Sequence, residues 1–301
     1  MVNGILSVYK EKGYTSHDVV AKLRGIVGQR KIGHTGTLDP DAEGVLPVCL
    51  GKATKLCDLL TDKSKEYETV LLLGIETDTQ DITGEVLNRV ETTELIETAK
   101  LNAEMVQTCI EGFLGNYSQI PPMYSALKVN GKKLYELARE GKSIERKPRE
   151  VQVYGIEIIE MKLPRVRMRV RCSKGTYIRT LCHDIGQQLH CGGCMEELTR
   201  TKVGGFTLDT AMKLEEVQNH TKAGTLENYI TPVDAMFENY QQVKVTGETM
   251  RRVYNGNTFE QPDMHCIDEE LVRVYDEQGE FVALYKYLEE KQTFKSWKMF
   301  L

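Results

Sequence analysis

The sequence lacks the features that mark membrane-spanning and secreted proteins. Its longest apolar runs, Val45 to Leu50 and Val70 to Leu73, fall far short of the roughly 20 residues that a transmembrane helix needs. The N-terminal stretch MVNGILSVYKEKG has no basic segment followed by an extended apolar core, which a secretion signal would have. We therefore expect a cytoplasmic protein with no membrane contact.

The sequence also lacks the pattern of a disulfide or metal framework. Its 301 residues include eight cysteines, and in a chain of this length without export these are expected to be reduced thiols. Cys191 and Cys194 have the spacing of half a zinc site, and two further cysteines and two histidines lie near them, but a second Cys-x-x-Cys pair is missing. The sequence therefore predicts no metal site.

Charge is distributed unevenly along the chain. The net charge of −5, taken as a whole, argues against a nucleic-acid partner. From Lys128 to Arg179, however, fifteen Lys or Arg face six Glu, so this basic segment carries +9 and the rest of the chain −14. Such asymmetry indicates a local electropositive surface that can bind a polyanion.

Within the basic segment, residues 165–172 (RVRMRVRC) alternate strictly between arginine and apolar or thiol side chains. A strand with this pattern buries one face and places four guanidinium groups on the other. Because like charges repel, either a phosphate backbone or carboxylates on neighbouring strands must lie across them.

The order of the predicted elements indicates the fold class. Ser16 is the predicted cap of a helix whose apolar spacing runs to a stop at Gly28, and further helices are predicted over about 93–111, 132–140 and 177–189. Strands are predicted at 5–9, 67–73, 151–159, 165–172, 271–275 and 281–287. Without a regular βαβ rhythm, the prediction is α+β, with a mixed, largely antiparallel sheet flanked by helices and a small β-rich C-terminal domain. The predicted domains are residues 1–238 and 239–301.

The loop from Gly33 to Pro47 has more glycine and polar residues than a simple connector needs. Pro40 favours an extended conformation at Asp39, which can present its carboxylate away from the chain. An Asx-type turn, in which Asp39 bonds only its own backbone, is the alternative. The Gly-x-Gly-x-x-Gly and Walker spacings are absent, so the loop does not indicate nucleoside triphosphate chemistry.

The sequence of this loop resembles the catalytic motif of the TruB-type tRNA pseudouridine-55 synthases. The similarity lies in GHTGTLDP at 33–40, followed by Ala42 and GVLP at 44–47. Other segments match the family in the same order: KEKGYTS at 10–16, KEY at 65–67, GIETDT at 74–79, PPMYSALK at 121–128, CSKGTYIR at 172–179 and LTRT at 198–201. The resemblance therefore covers most of the chain through several long motifs.

The resemblance implies an isomerase that flips uridine 55 out of the tRNA T-loop and converts it to pseudouridine without a cofactor. It implies that Asp39 is the catalytic carboxylate, acting as a nucleophile on the sugar or base, or as a base at the sugar. Arg179 is the implied ionic partner that keeps Asp39 charged. The implied substrate-binding residues are His34 in the vacated space, Tyr67 against the base, Tyr177, Arg179, Leu198 as an apolar wall, and Lys10 in support.

The resemblance also implies how the RNA is held. An insertion at about 118–150 is expected to grip the tRNA, with backbone contacts from Lys128, Lys132, Lys133 and Arg167. Residues 239–301 resemble, more weakly, a PUA-type RNA-binding domain that would contact the acceptor stem. No obligate protein partner is expected.

One departure and two alternatives accompany the resemblance. Glu11 stands where the family motif has proline, which removes a pre-set turn and adds a negative charge near an RNA-facing loop. The chain could instead be a non-catalytic tRNA-binding or tRNA-folding module, although the intact set Asp39, Tyr67 and Arg179 argues against this. It could also be a synthase of the same family with a different RNA target.

Overall fold

The computed structural model describes residues 1–91, 101–129, 131–261 and 264–301. Strands cover Gly4–Lys10 (β1), Ile32–His34 (β2), Glu43–Leu50 (β3), Lys65–Leu73 (β4), Ile75–Thr77 (β5), Val86–Arg89 (β6), Gly115–Gln119 (β7), Lys128–Val129 (β8), Lys132–Lys133 (β9), Arg149–Lys162 (β10), Arg165–Cys172 (β11), Gly193–Val203 (β12), Phe206–Thr207 (β13), Gln241–Lys244 (β14), Leu271–Tyr275 (β15), Phe281–Leu288 (β16) and Thr293–Met299 (β17). Helices cover Ser16–Val27 (α1), Cys57–Thr61 (α2), Ala103–Glu111 (α3), Leu134–Arg139 (α4), Ile178–Gln188 (α5), Leu214–Ala223 (α6) and Gly247–Tyr254 (α7).

A large sheet forms the body of the protein. Its strand order is β1-β3-β12-β4-β11-β10-β7, with β2 on β3 and β13 on β12. The pairings are antiparallel except for the short parallel contact between β12 and β3. The predicted α+β class with a mixed, largely antiparallel sheet is confirmed.

Most predicted elements are confirmed, with shifted ends. The helix expected over 93–111 begins only at Ala103, because Asn102 is extended and its side chain caps the helix by accepting from the Met105 amide; residues 92–100 lie outside the described part of the chain. Ser16 was the predicted cap of α1, and this prediction is wrong. The Thr15 hydroxyl accepts from the Asp18 amide and caps the helix, while Gly28 ends it in a left-handed conformation.

The two faces of the large sheet have different chemistry. Because side chains alternate along a strand, Tyr67 of β4 and Val170 of β11, which are register partners, share one face with the main apolar cluster. Arg167 is paired in register with Val70 and points to the opposite face. The arginines of β11 and the residue implied to bind the base therefore lie on different sides of the sheet.

Carboxylates of β4, β10 and β12 contact three of the four arginines on this face. Arg165 makes a two-pronged ion pair with Glu196, both contacts at 2.7 Å. Arg167 contacts Glu197 at 3.2 Å, and Arg169 bridges Glu68 and Glu157. The carboxylate alternative from the sequence analysis therefore holds for Arg165, Arg167 and Arg169.

A second sheet follows from residue 241, in the order β14-β15-β16-β17. Its aromatic residues Phe281 and Phe300, with ring centroids 5.2 Å apart, pack into the cluster that contains Ile5 and Val45 of the large sheet. The expected β-rich C-terminal segment is confirmed. No helix within the described residues is long and apolar enough to cross a membrane.

Candidate active site

Three buried contacts shape the loop at residues 33–47, which we call the Asp39 loop. The Ser16 hydroxyl accepts from the Leu38 amide at 2.9 Å, which ties the loop to the start of α1. The fully buried Lys10 ammonium donates to the carbonyls of Pro40 and Ala42. At Gly44, φ is +108° and a Cβ would lie 2.3 Å from the Arg200 carbonyl oxygen, so only glycine fits.

Lys10 therefore supports the backbone of the Asp39 loop. Its amine is engaged with backbone carbonyls and is not exposed, which fits the supporting role inferred from sequence. Burial lowers the pKa of Lys10 to about 8, against the attraction of Asp39 and Asp41. The carboxylate of the atypical Glu11 lies 3.9 Å from the Lys213 ammonium, so its charge has a partner in the folded protein.

Arg179 holds the Asp39 carboxylate with two nitrogens. Its Nε lies 3.0 Å from Asp39 Oδ2, and its Nη2 donates to Oδ1 at 3.3 Å. The same guanidinium donates to the carbonyls of Tyr124 at 2.7 Å and Thr79 at 3.1 Å. Only 5% of the Arg179 side chain is exposed, against 38% for Asp39. The pair is thus rigid on the arginine side and open to an approaching molecule on the carboxylate side.

The electrostatics of Asp39 differ from the sequence-based expectation. Arg179 was expected to favour the charged form, and it does lower the pKa of Asp39. Desolvation of the carboxylate raises its pKa more strongly than Arg179 lowers it, and the negative charge of Asp81 raises it further, so the pKa of Asp39 is raised overall. A carboxylate with a raised pKa is more basic than an exposed one, which suits a group that must attack or accept a proton.

Asp81 belongs to the same cluster, and sequence reasoning assigned it no role. Its Oδ2 lies 3.7 Å from Arg179 Nη1, and its Oδ1 accepts from both the amide and the hydroxyl of Thr83. Asp81 is thereby fixed as a second acidic neighbour of Arg179. The available signals were its position in an Asp-rich turn, TDTQDITG, and its match to the family just after the GIETDT segment.

Tyr67, Leu198 and Leu38 of the Asp39 loop pack in one buried cluster. Burial raises the pKa of the Tyr67 hydroxyl to about 12, and the nearby Arg200 guanidinium opposes this rise. Tyr177 stands at the start of α5, where its amide donates to Gln119 Oε1 at 2.8 Å and its carbonyl accepts from Gln119 Nε2. The structure therefore gathers Asp39, Arg179, Tyr67, Tyr177 and Leu198 at one place.

His34 lies at the N-terminal end of the Asp39 loop, where β2 ends. Its ring meets the ring of His17 edge-on, with centroids 5.2 Å apart, and its Nδ1 accepts from the Gly36 amide at 3.3 Å. Burial, with smaller effects from His17 and Arg200, lowers the pKa of His34 to about 4. At neutral pH the ring is therefore an uncharged aromatic surface.

We expect His34 to titrate near pH 4 in the folded protein, as followed by NMR of its ring protons. Since the ordinary pKa is 6.5, the unfolded chain binds more protons between these values, and the free energy of unfolding falls as pH drops from 6.5 to 4. The variant His34→Gln should lose less stability over this range. A His34 resonance that titrates near pH 6.5 would contradict the burial described here.

The predicted RNA contacts occupy two different places. Lys128, Lys132 and Lys133 lie on the β8–β9 hairpin before α4, with Lys132 3.8 Å from Glu140 and Lys133 donating to the Tyr135 hydroxyl. Arg167 lies on the carboxylate-covered face of the sheet, away from Tyr67. Only Arg167 Nη2 contacts Glu197, and 42% of the Arg167 side chain is exposed, so a backbone contact by Arg167 stays a prediction.

A lysine cluster that sequence reasoning missed lies near the end of β17. Burial lowers the pKa of Lys55, and the charges of Lys31, Lys52 and Lys298 lower it further. Lys52 and Lys55 lie three residues apart, but Lys31 and Lys298 come from other parts of the chain, so charge arithmetic along the sequence does not group the four. Folding alone creates this second electropositive surface.

The cysteines are free thiols. Cys191 and Cys194 are buried, and the Cys191 thiol donates to the carbonyls of Gly186 and Gly192. Within the described residues, no three or more His, Cys, Asp or Glu side chains are grouped so that they could hold a metal ion.

Comparison with known proteins gives consistent matches. Residues 24–178 match the family model for the N-terminal domain of the TruB family pseudouridylate synthases, and residues 179–238 match that for the tRNA pseudouridylate synthase B C-terminal domain. The chain is 53% identical to tRNA pseudouridine synthase B of Lachnoclostridium phytofermentans over the whole of both chains. It is 40% identical to the Bacillus pumilus protein of the same name, covering 97% of this chain and 96% of that one.

Solved structures agree with these sequence matches. A Cbf5-Nop10-Gar1 complex contains a chain with a TM-score of 0.71 and 28% identity, covering 99% of this chain and 85% of that one. An H/ACA RNP bound to a substrate RNA containing 2′-deoxyuridine gives a TM-score of 0.71 at 25% identity, with the same coverage.

Proposed function

The chain belongs to the TruB family of pseudouridylate synthases, and on that premise we propose that it converts uridine 55 in the T-loop of tRNA to pseudouridine, with Asp39 as the catalytic carboxylate. One observation carries the proposal. The Asp39 carboxylate is held by the buried Arg179 at 3.0 and 3.3 Å while 38% of its own side chain stays exposed. The carboxylate is therefore held in a fixed orientation and can still contact a substrate.

The proposed reaction changes connectivity and not composition. The bond between N1 of the uracil and C1′ of the ribose breaks, the base turns, and C5 bonds to C1′. C5 then loses its proton, and N1 ends with one. Asp39 acts as a nucleophile on the sugar or base, or as a base at the sugar, and each role requires its ionised form. Because the reaction is an isomerisation without net redox change, it requires no cofactor.

Recognition of the uridine follows from the cluster around Asp39. The target base must leave the T-loop, and the uncharged His34 ring fills or stacks into the space it vacates. Tyr67 stacks on the flipped base, with its hydroxyl placed for proton handling at C5, and Leu198 forms the apolar wall of the pocket.

The rest of the tRNA is held by basic surfaces. In the insertion at 118–150, the β8–β9 hairpin supplies Lys128, Lys132 and Lys133 for phosphate contacts. Residues 239–301 act as a PUA-like RNA-binding domain that contacts the acceptor stem. The lysine cluster of Lys31, Lys52, Lys55 and Lys298 supports this part of the proposal, because Lys298 belongs to the C-terminal sheet and the other three to the part of the chain that carries Asp39, so positive charge extends over both.

A tRNA substrate is favoured over the two alternatives. A non-catalytic tRNA-folding module would not need an exposed carboxylate clamped by a buried arginine, or a tyrosine beside it. Relatives named tRNA pseudouridine synthase B reach 53% identity over the full chain, whereas the chains of the H/ACA and Cbf5 assemblies reach 25% to 28%. These values favour tRNA as the RNA target.

Neutralising Lys132 or Lys133 should weaken tRNA binding and make it less sensitive to salt. Each phosphate contact that is lost reduces the slope of log K against log salt by about one. Arg165→Gln is the matched control, since Arg165 is paired with Glu196 on the opposite face of the sheet and should leave the slope unchanged. Equal slopes for Lys132→Gln, Lys133→Gln and the unmodified protein would remove the hairpin from the binding surface.

The proposed function is tested by incubating the purified protein with an unmodified tRNA transcript and mapping pseudouridine along the RNA. The proposal predicts modification at position 55 alone. Modification at another position would leave a pseudouridine synthase with a different target. Tight tRNA binding without any modification would favour the folding-module alternative.

A further inference from the structure

Arg200 is the largest fully buried side chain of the described residues, with 1% of its surface exposed. Its hydrogen bonds go to neutral oxygens, the carbonyls of Val45 at 2.7 Å and Gly36 at 3.3 Å. A guanidinium without a carboxylate partner is costly to bury. The mechanism proposed above does not use this group, so its burial requires another explanation.

The two carbonyls that Arg200 binds lie on either side of Asp39 in the chain. Gly36 precedes Asp39 by three residues and Val45 follows it by six. Arg200 therefore links the two ends of the Asp39 loop through its side chain. The backbone of β12 also approaches Gly44 so closely that no side chain fits there. This closure fixes the path of the loop between its two ends.

The same side chain faces Tyr67. Arg200 of β12 and Tyr67 of β4 are direct register partners, so their side chains leave the same face of the sheet. The positive charge of Arg200 lowers the pKa of Tyr67, against the larger effect of burial, which raises it. Lys10, His34 and Lys65 also lie within range of this charge, and each has its pKa lowered by it.

We propose that Arg200 is a positioning residue for the isomerisation, because it joins both ends of the Asp39 loop to Tyr67 through one buried guanidinium. It touches neither the uridine nor the reacting atoms. It fixes the separation between the Asp39 carboxylate and the Tyr67 hydroxyl. Its positive charge also favours the ionised form of that hydroxyl, which takes part in proton transfer at C5. This inference rests on the proposed function.

The C-terminal sheet contains a matched control. Arg273 is also buried, donates to the carbonyls of Tyr240 and Glu238 and to the Tyr275 hydroxyl, and lies outside the cluster around Asp39. Arg200→Lys and Arg200→Gln can be compared with Arg273→Lys and Arg273→Gln. The first comparison is the single-turnover rate of pseudouridine formation at saturating tRNA, with tRNA affinity measured separately.

We expect Arg200→Lys to lower the rate about tenfold and Arg200→Gln about a hundredfold, with tRNA affinity within about twofold of the unmodified protein. At saturating tRNA the Arg273 variants should keep the full rate, because Arg273 is buried and any effect of the C-terminal sheet falls on tRNA affinity, which is measured separately. The second comparison follows ionisation of fluorotyrosine at position 67 by ¹⁹F NMR. Its pKa should rise in Arg200→Gln and not in Arg273→Gln.

Three outcomes separate the claims. If the unmodified protein makes no pseudouridine, the proposed function fails and this inference falls with it. If that protein is active but the Arg200 variants match the Arg273 variants in rate or in fluorotyrosine pKa, this inference alone is overturned. If the Arg200 variants do not fold, the ¹⁵N resonances of the Arg200 guanidinium are compared between the unmodified protein and Tyr67→Phe. A shift supports the contact, and unchanged resonances overturn it.

Discussion

Replacing Asp39 by asparagine is expected to lower the rate of pseudouridine formation by at least about 10³-fold while tRNA binding stays within about twofold. Asparagine keeps the shape of the side chain and a hydrogen bond to Arg179, but it can neither attack carbon nor accept a proton. The measurement is a single-turnover assay with excess enzyme, combined with filter binding of the same tRNA.

Asp41→Asn serves as the control for this result. Asp41 is an exposed carboxylate two residues further along the same loop, and its replacement removes the same charge. We expect Asp41→Asn to retain nearly the full rate. An Asp39→Asn variant that turns over at the normal rate would remove Asp39 from the mechanism, and equal losses in both variants would indicate a general effect of loop charge.

Replacing Arg179 by glutamine is expected to have the second largest effect, and it should reduce both activity and stability. Arg179 fixes Asp39 with two nitrogens and also anchors the carbonyls of Thr79 and Tyr124. Loss of this anchor should slow the reaction about a hundredfold or more, because the carboxylate is no longer aimed. Unfolding free energy should fall by about 3 kcal/mol, since the Asp39 carboxylate and the carbonyls of Thr79 and Tyr124 all lose the same buried donor.

Arg165→Gln is the matched comparison for Arg179. The Arg165–Glu196 pair is also two-pronged, at 2.7 Å for both contacts, but 56% of the arginine side chain is exposed. Its loss should cost less than about 1 kcal/mol and leave the rate unchanged. Urea unfolding of both variants measures the difference. Similar losses of stability would mean that burial does not strengthen the Arg179 pair.

The sequence patterns predicted the main elements because periodicity is a local property. The strict alternation in 165–172 predicted β11 with the same ends, and the apolar spacing after Ser16 predicted α1 with its stop at Gly28. The cap of α1 was wrong by one residue because Thr15 and Ser16 are both good caps. Ser16 instead bonds the Leu38 amide, a contact across 22 residues that no local pattern contains.

The charge pattern was harder to interpret than the secondary structure. Sequence arithmetic identified a basic segment, but it could not show that Glu196, Glu197, Glu68 and Glu157 lie across the arginines of β11. It also could not bring Lys298 next to Lys55. The net charge of a segment therefore counts basic residues, but it does not show which arginines are paired with carboxylates in the folded protein.

Within the candidate site, motifs identified the residues with expected roles in the reaction, but not the residues that fix their positions. Asp39, Tyr67 and Arg179 were identified from the family resemblance, and the structure brings them together. Arg200 and Asp81 act through contacts with residues more than 90 positions away, so spacing in the sequence gave no signal for their roles. The raised pKa of Asp39 also depends on enclosure that only the fold creates.

The release of tritium from tRNA labelled at C5 of its uridines tests the central claim most directly, because each isomerisation frees one C5 hydrogen. The account predicts one tritium released per tRNA by the unmodified protein, and none from a transcript that carries cytidine at position 55. Release that is unaffected by this replacement, or no release from either transcript, would contradict it.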